Sequence, residues 1–285
     1  MAHFEPSGFG WLPSAPDFRD YTPESPEVAE LLGQLRDAGA HPPPNSASAD
    51  LREYFLDADD QLSLNASTAH ACAAMAEYFE RRSSGRLLRP SRLFLYQNAL
   101  KLSGAVGNVG LNLRVAIKAM IRCGAPPERY WPYEIGRLSA SPEAFLYSFR
   151  APYDGAVYVR LDERKTNGSA TLATVKSFLA AGFPVAFGFS VPSSLCDRGN
   201  IPYRPTFDSI IGQQAALAVG FDDRWLSGSR GALLVRNSWG HAWGEAGYGW
   251  LPYAYVEERL ACDFWTLLHA DWIRSGEFDL PQVAQ

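Results

Sequence analysis

The chain changes character near residue 153, and this change most constrains its fold. Before that point apolar residues recur at helical spacing, whereas after it short β-rich runs alternate with turn residues. The predicted helices cover residues 28–38, 67–82, 111–122 and 171–181, and a further helix opens at 90–96. Ser67-Thr68 is the candidate N-cap of the helix at 67–82. The predicted strands cover 156–161, 185–190, 214–221 and 232–237. A helical half followed by a mostly β half predicts an α+β protein of two packed lobes with a cleft between them.

Proline and small residues dominate the first fifty positions and interrupt regular structure there, apart from the one predicted helix. We therefore predict an N-terminal arm at 1–50 laid over a body at 51–285, which divides into a helical lobe at about 51–152, a β lobe at about 153–266 and a tail at 267–285. Four aromatic residues stand among the prolines of the arm, which predicts an ordered strap that buries its rings: Phe9, Trp11, Phe18 and Tyr21.

Composition excludes several classes of protein. The 285 residues include 26 basic and 31 acidic side chains, so no global positive field would hold nucleic acid. The longest apolar stretch, 178–189, is interrupted by Gly182 and Pro184 and is shorter than the roughly 20 residues of a membrane span. No signal peptide is visible, and the four cysteines form no C-x-x-C pair. We expect a cytoplasmic protein with free thiols and without a metal or cofactor.

Three distant segments form a pattern when they are taken together. They are DQLSLNASTAHA at 60–71, GQQAALAVGFD at 212–222 and NSWGHAWGEAGYG at 237–249. The third resembles the N-S-W-G-x-x-W-G-x-x-G-Y segment of the papain-like cysteine peptidases. The second resembles their G-G-H-A-V-x-x-V-G-Y-D strand, and the first their D-Q-G-x-x-G-S-C-x-A-x-A loop and helix start.

Further segments extend this resemblance from residue 8 to about 266. The opening GWLPSAPDFRDY at 10–21 is similar to that of bacterial and archaeal members of the family, and residues 90–94, 131–133 and 263–265 also fit that branch. The resemblance implies a papain-like two-lobed fold, in which a helical lobe and a β-barrel-like lobe enclose an interlobe cleft.

The resemblance also assigns catalytic positions. Gln61 matches the glutamine that, together with the main-chain N–H of the nucleophile, donates to the oxyanion. Asn237 matches the asparagine that orients the catalytic imidazole, and Trp239 the ring that shields this asparagine. Two positions depart from the family pattern. Ser67 stands where the nucleophilic cysteine is expected, and Gln214 stands where the histidine base is expected.

These departures predict loss of peptidase activity. A serine hydroxyl needs a base to take its proton, and the Gln214 amide has no proton affinity near neutral pH. Leu62, Asn65 and Gln213 replace glycines of the family motifs, so we expect their side chains to narrow or reshape the groove. We also expect Gln214 and Asn237 to satisfy each other by an amide–amide hydrogen bond.

One other histidine is a candidate for the base that is missing at position 214. His70 lies one helical turn after Ser67 and is the best candidate, although a packed histidine in the lobe core is the preferred interpretation. His241 is expected in a surface turn. Gln61 has a second interpretation. In a site that catalyses no reaction, its side chain would only cap its own loop.

The preferred interpretation is a non-catalytic relative, a pseudopeptidase whose cleft or surface binds a peptide, a protein or a carrier-bound acyl chain. The candidate binding residues are Trp239, Asn65, Gln213 and His70. The alternative is an enzyme with altered acyl-transfer, cyclisation or condensation chemistry in the same cleft. A peptidase that has been deliberately inactivated would also carry serine at 67, but two changed positions disfavour this explanation.

Overall fold

The structure is a computed structural model that describes residues 4–37, 46–163, 166–225 and 231–274. Its helices are α1 (Pro26–Asp37), α2 (Ser67–Ser84), α3 (Arg92–Ser103), α4 (Leu113–Cys123), α5 (Gly168–Ala180), α6 (Ala254–Glu257) and α7 (Ala270–Arg274). Its strands are β1 (Ser48–Asp50), β2 (Val157–Arg160), β3 (Val185–Pro192), β4 (Ile210–Asp222), β5 (Ala232–Arg236), β6 (Tyr248–Pro252) and β7 (Ala261–Leu268). The predicted two-lobed α+β architecture is confirmed.

The strands form one antiparallel sheet in the order β2-β7-β3-β4-β5-β6, and β1 pairs with β4. The long strand β4 lies at its centre, and its middle residues are buried because α2 packs against them. The predicted strand 214–221 is thus the buried part of β4, which begins at Ile210.

Helix α2 lies between the helical lobe and the sheet, and most of its side chains are buried. The sequence suggested that Ser67 or Thr68 caps this helix. That assignment is wrong, because Ala66 is the N-cap and makes no side-chain cap, while Ser67 is already helical. By contrast, α3 and α4 begin with side-chain caps from Ser91 and Asn112.

The arm and the tail are more integrated than the sequence suggested. Strand β1, at the end of the predicted arm, joins the sheet beside β4. Residues 267–268, at the start of the predicted tail, complete β7, and Trp272 of α7 stacks on Phe79 at 4.6 Å between ring centroids. Residues 1–3, 38–45 and 275–285 lie outside the described ranges.

The strap, which is the part of the arm at residues 7–21, buries fewer aromatic rings than expected. Trp11 is buried and Phe9 is half-buried, but Phe18 is fully exposed and Tyr21 is 38% exposed. Phe18 lies in a turn closed by the Asp20 N–H donating to the Asp17 carbonyl at 3.0 Å. Tyr21 binds strand β2 through its main-chain carbonyl, which accepts from Arg160 N–H at 2.7 Å. The prediction was wrong for these two rings because the main chain, rather than the ring, makes the contact there.

A buried ion pair joins the two lobes. Arg236 on β5 lies 3.5 Å from the Glu77 carboxylate on α2, and both side chains are at most 3% exposed. The guanidinium also donates to the carbonyls of Leu56 and Asp57 at 2.5 and 3.0 Å. Burial raises the pKa of Glu77, while the charge of Arg236 acts in the opposite direction. Burial of each charge is therefore stable only because the other charge is present.

Replacing Arg236 by methionine should lower the free energy of unfolding by about 3–5 kcal/mol, because Glu77 would be left as an unpaired buried carboxylate. Urea denaturation measures this loss. The double variant Glu77→Met/Arg236→Met should recover part of it. Arg19→Met is the matched control, since its exposed pair with Asp17 should change stability by less than about 1 kcal/mol. Equal losses in Arg236→Met and in the double variant would contradict this account.

Candidate active site and cleft

Three elements bring the motif residues together. Gln61 lies in the loop before α2, Ser67 is the first residue of α2, and Gln214 lies on β4. Asn237 directly follows β5, the neighbour of β4 in the sheet. The main chain holds the two loops together, because Gln61 N–H donates to the Ser238 carbonyl at 2.9 Å.

Neutral amides form the centre of this arrangement. Gln214 Nε2 lies 2.9 Å from Gln61 Oε1, 2.9 Å from Asn237 Oδ1 and 3.1 Å from Ser238 Oγ. The Ser238 hydroxyl in turn donates to Gln61 Oε1 at 2.7 Å. The expected hydrogen bond between Gln214 and Asn237 is present, but the two amides do not fully satisfy each other, because Gln214 Oε1 and Asn237 Nδ2 are buried without a partner among the described residues. Ser238 adds a link that the sequence did not predict. Its position beside Asn237 in the third motif was the signal available for it.

Ser67 has a structural hydrogen bond in place of a base. Its side chain is fully buried, and its Oγ accepts from Ala215 N–H at 3.1 Å. Within the described ranges no imidazole hydrogen-bonds to this hydroxyl. The side chain therefore joins the start of α2 to strand β4, and no group that takes a proton near neutral pH is bonded to it.

The two donors that the resemblance assigns to an oxyanion hold a carbonyl of the protein itself. Gln61 Nε2 donates to the Phe9 carbonyl at 2.5 Å and to the Leu64 carbonyl at 2.8 Å. Ser67 N–H points at the same Phe9 oxygen at 3.4 Å. A peptide carbonyl thus occupies the place where developing negative charge would be stabilised in a working peptidase.

Residues on both sides of this carbonyl are held by main-chain groups of both lobes. Gly10 and Trp11 donate their N–H groups to the Gln213 carbonyl at 3.2 and 3.3 Å. On the helical side, Leu111 N–H donates to the Gly10 carbonyl at 2.8 Å, and Leu12 N–H donates to the Leu111 carbonyl at 2.9 Å. The strap therefore runs between the two lobes as an extended peptide.

The residues that replace family glycines meet the strap in different ways. Asn65 Oδ1 accepts from Phe9 N–H at 3.3 Å, so this side chain binds the strap. The Leu62 side chain is 43% exposed, while its main chain has a φ of +50°. Gln213 contributes its carbonyl oxygen, as a strand residue of any type would. The groove is filled by the strap, and the side chains of these residues leave room for it.

Trp239 and His70 complete the predicted set. Trp239 is buried and packs edge-on against Trp243 at 5.1 Å, with the Phe4 ring of the arm at 5.6 Å. His70 packs edge-on against Tyr133 at 4.9 Å. Both of its ring nitrogens lack hydrogen-bond partners within the described ranges. It lines a cavity of about 10 Å³ between the lobes, together with Asp59, Arg236 and Asn237, which is about the size that holds one water.

Burial lowers the pKa of His70 well below 6.5, and the nearby charges of Arg92 and Arg236 act in the same direction. The imidazole is therefore neutral in the folded protein. In the described part of the chain, no group of three or more His, Cys, Asp or Glu side chains is arranged to hold a metal ion.

Comparison with known proteins gives the class. The model of the family described as "Papain family cysteine protease" matches residues 116–262. The "Uncharacterized peptidase C1-like protein L477" of Acanthamoeba polyphaga mimivirus is 30% identical over 277 residues, which cover 91% of this chain and 86% of that protein. The chain belongs to the papain family.

Solved structures agree with this assignment. The crystal structure of xylellain, a cysteine protease from Xylella fastidiosa, is 30% identical, with a TM-score of 0.74 over 94% of this chain and 98% of that one. Procathepsin B from Trypanosoma congolense has a TM-score of 0.64 at 18% identity over 92% of this chain and 86% of that one, and shows likeness of fold alone. Among the described residues, no helix combines the length and apolarity that a bilayer span requires.

The neutral state of His70 predicts a pH-dependent stability. In the unfolded chain an imidazole titrates near pH 6.5. Below that pH the unfolded state binds a proton that the folded state does not, so stability is complete above pH 6.5 and falls as the solution is acidified. Acidification from pH 7 to pH 5 should therefore lower the free energy of unfolding, by at most about 2 kcal/mol from this site, a limit set by the pKa of the unfolded chain.

Urea denaturation at pH 7 and pH 5 measures this effect. His70→Leu should lose less stability over this interval than the unmodified protein. His241→Gln is the control, because the side chain of His241 is exposed and lies outside the cavity. The same acid sensitivity in the His70→Leu variant and the unmodified protein would assign the effect to other groups.

Proposed function

We propose that this chain is a non-catalytic member of the papain family, a pseudopeptidase whose interlobe cleft binds an extended peptide. The observation that carries the proposal is the bonding of Ser67 and Gln214. The hydroxyl accepts from the main chain of β4, and the amide is bound to Gln61 and Asn237. Neither group has the proton affinity that acyl transfer would require.

The energetic consequence is large. In a serine triad, losing the nucleophile or the base lowers turnover by about 10⁶, and losing both costs little more because they act as a unit. An oxyanion hole alone retains roughly 10³ to 10⁴ over the uncatalysed reaction. We therefore expect ordinary peptide hydrolysis to be absent. The alternative of a repurposed acyl-transfer enzyme lacks a supporting observation, because it also requires a base.

The contacts of the strap favour a peptide over a carrier-bound acyl chain. The cleft binds main-chain carbonyls through Gln61 and Leu111 and main-chain N–H groups through the Gln213 and Leu111 carbonyls. An acyl chain has no N–H groups to match those two acceptors. A peptide or an extended segment of a partner protein satisfies both kinds of contact.

Two finer assignments accompany the proposal. We place the chain in the bacterial and archaeal branch on the opening segment at 10–21 and on residues 90–94. We also propose a cytoplasmic location, which is supported by the four free cysteines, since reducing compartments keep thiols unpaired.

Peptidase assays on the unmodified protein and four variants test this function. The unmodified protein and Ser67→Ala should both be inactive. Ser67→Cys/Gln214→His should remain slow, because the Phe9 carbonyl still occupies the oxyanion donors. Adding Gly10→Val should raise its turnover at least about tenfold, since a Cβ at Gly10 would lie 2.3 Å from the Asn65 carbonyl oxygen and so expel the strap.

Gly33→Val, added to the same double variant, is the matched control, because a Cβ at Gly33 meets no atom within 4 Å. It should leave the turnover unchanged. Robust hydrolysis by the unmodified protein that disappears in Ser67→Ala would falsify the pseudopeptidase proposal. Thermal melts of every variant establish that the inactive ones are folded.

A further inference from the structure

A tailored pocket in the β lobe receives the side chain of Trp11. This side chain is 3% exposed and lies against Gly188 on β3. A Cβ at position 188 would lie 1.9 Å from Cε2 of the indole. The flanking residues Phe187 and Phe189 are large and fully buried, so Gly188 opens the space that the ring fills.

A buried carboxylate lies at the end of this pocket. Asp263 is fully buried, and its Oδ2 accepts from the indole Nε1 of Trp11 at 3.1 Å. Its Oδ1 accepts from Trp265 Nε1 at 2.7 Å and from the Ser14 hydroxyl at 2.8 Å. A buried carboxylate is tolerated only where donors satisfy it. Two of these three donors, Trp11 and Ser14, come from the strap.

The charge of Asp263 is balanced only in part. Arg160 lies 3.4 Å from its Oδ1 and is almost fully buried, but it also binds Asp162 at 3.0 Å and lies 3.6 Å from Asp20. Neutral N–H and O–H donors therefore carry part of the stabilisation of this carboxylate, and the indole of Trp11 supplies one of them. The pocket favours a flat ring that carries an N–H donor.

The position before the tryptophan is equally restricted. Gly10 has a φ of +135°, in the region that favours glycine. Most of the other contacts described above use main-chain atoms of the strap, which any extended peptide offers. The exceptions are the Ser14 hydroxyl on Asp263 and the Phe9 ring, which lies against Gly212, where a Cβ would come within 2.5 Å of its Cζ atom. Positions 10 and 11 combine a restricted main chain with a buried N–H donor, so they contribute most to sequence selectivity.

We propose that the cleft selects peptides that carry a glycine–tryptophan pair, with Asp263 as the specificity-determining residue that accepts the indole N–H. This inference rests on the proposed function, in which the cleft binds peptides. Residues 7–12 are then the copy of that ligand carried by the chain itself. A partner protein would enter by presenting the same pair on an extended segment.

A separate peptide that competes with the strap for its site tests the inference on full-length protein. The probe is a fluorescent peptide, PSGFGWLPSA, which copies residues 6–15. Gly10→Val, which expels the strap, should bind it at least about tenfold more tightly than the unmodified protein or Gly33→Val does. Replacing the tryptophan of the probe by 1-methyltryptophan retains the ring but removes the donor, and should weaken binding about 10- to 100-fold.

Because these changes lie in the probe, they leave the folding of the protein untouched. Equal binding of the tryptophan and 1-methyltryptophan probes would overturn the role of Asp263 and leave the proposed peptide-binding function standing. If a folded Gly10→Val protein binds none of the probes while its residues 7–12 are released, both the inference and the proposed function fail. Hydrogen exchange of the strap amides reports that release.

The same recognition is measurable in cis, whether or not the Gly10→Val substitution expels the strap. Trp11→Phe retains a ring but removes the N–H donor to Asp263, so exchange of the Gly10 and Leu12 amides should accelerate about 10- to 100-fold. Tyr21→Phe is the matched control, since it removes a hydroxyl from an exposed ring of the same segment. Unchanged exchange in Trp11→Phe would overturn the inference.

Discussion

The packing of the first turn of α2 against strand β4 is the constraint on which the site depends. Ser67 is fully buried at the start of a helix that is itself buried between the two lobes. Its Oγ accepts from Ala215 N–H, which joins the helix to the central strand of the sheet. Because Gln61 precedes this helix and Gln214 precedes Ala215, the same contact sets the distance between their side chains. Asn237 follows because β5 is paired with β4.

The network at this junction is built from uncharged groups. Gln61, Gln214, Asn237 and Ser238 share donors and acceptors without an ionised partner. Such a network stabilises a buried site without the desolvation that charge would incur, and it does not titrate near neutral pH. It also supplies no proton acceptor. Gln214 therefore joins the two lobes through neutral hydrogen bonds to Gln61 and Asn237.

The strap adds a second set of contacts that join the two lobes. Its main chain bonds to residues of both lobes, and the Trp11 indole donates to the buried carboxylate of Asp263. Near the far end of the strap, Arg114 binds the Asp20 carboxylate at 2.6 Å, and the Tyr21 carbonyl binds β2. Removing the strap would uncover donors and acceptors at several points at once, so any competing ligand must replace most of these bonds.

Much of the framework was predictable from the sequence because it depends on local patterns. Periodicity placed the helices and buried strands, and the three motifs placed Gln61, Ser67, Gln214 and Asn237 in one candidate site. Errors came where a local pattern did not decide the outcome. Ser67 is a good capping residue by type, yet Ala66 caps α2, because the Ser67 hydroxyl is bound to a strand that lies far away in sequence.

The position of the strap between the two lobes was decided by tertiary structure alone. A carbonyl such as that of Phe9 has no sequence signature, because every residue carries one, and its place between Gln61 and Ser67 depends on the path of the main chain. Likewise, Gly188 and Asp263 are unremarkable residues of separate strands until pairing of β3 with β7 places them around one indole. The sequence by itself determined the family and the identity of the groups in the site. Which groups meet, and what fills the groove, was determined by contacts between residues as many as 252 positions apart, which no local propensity encodes.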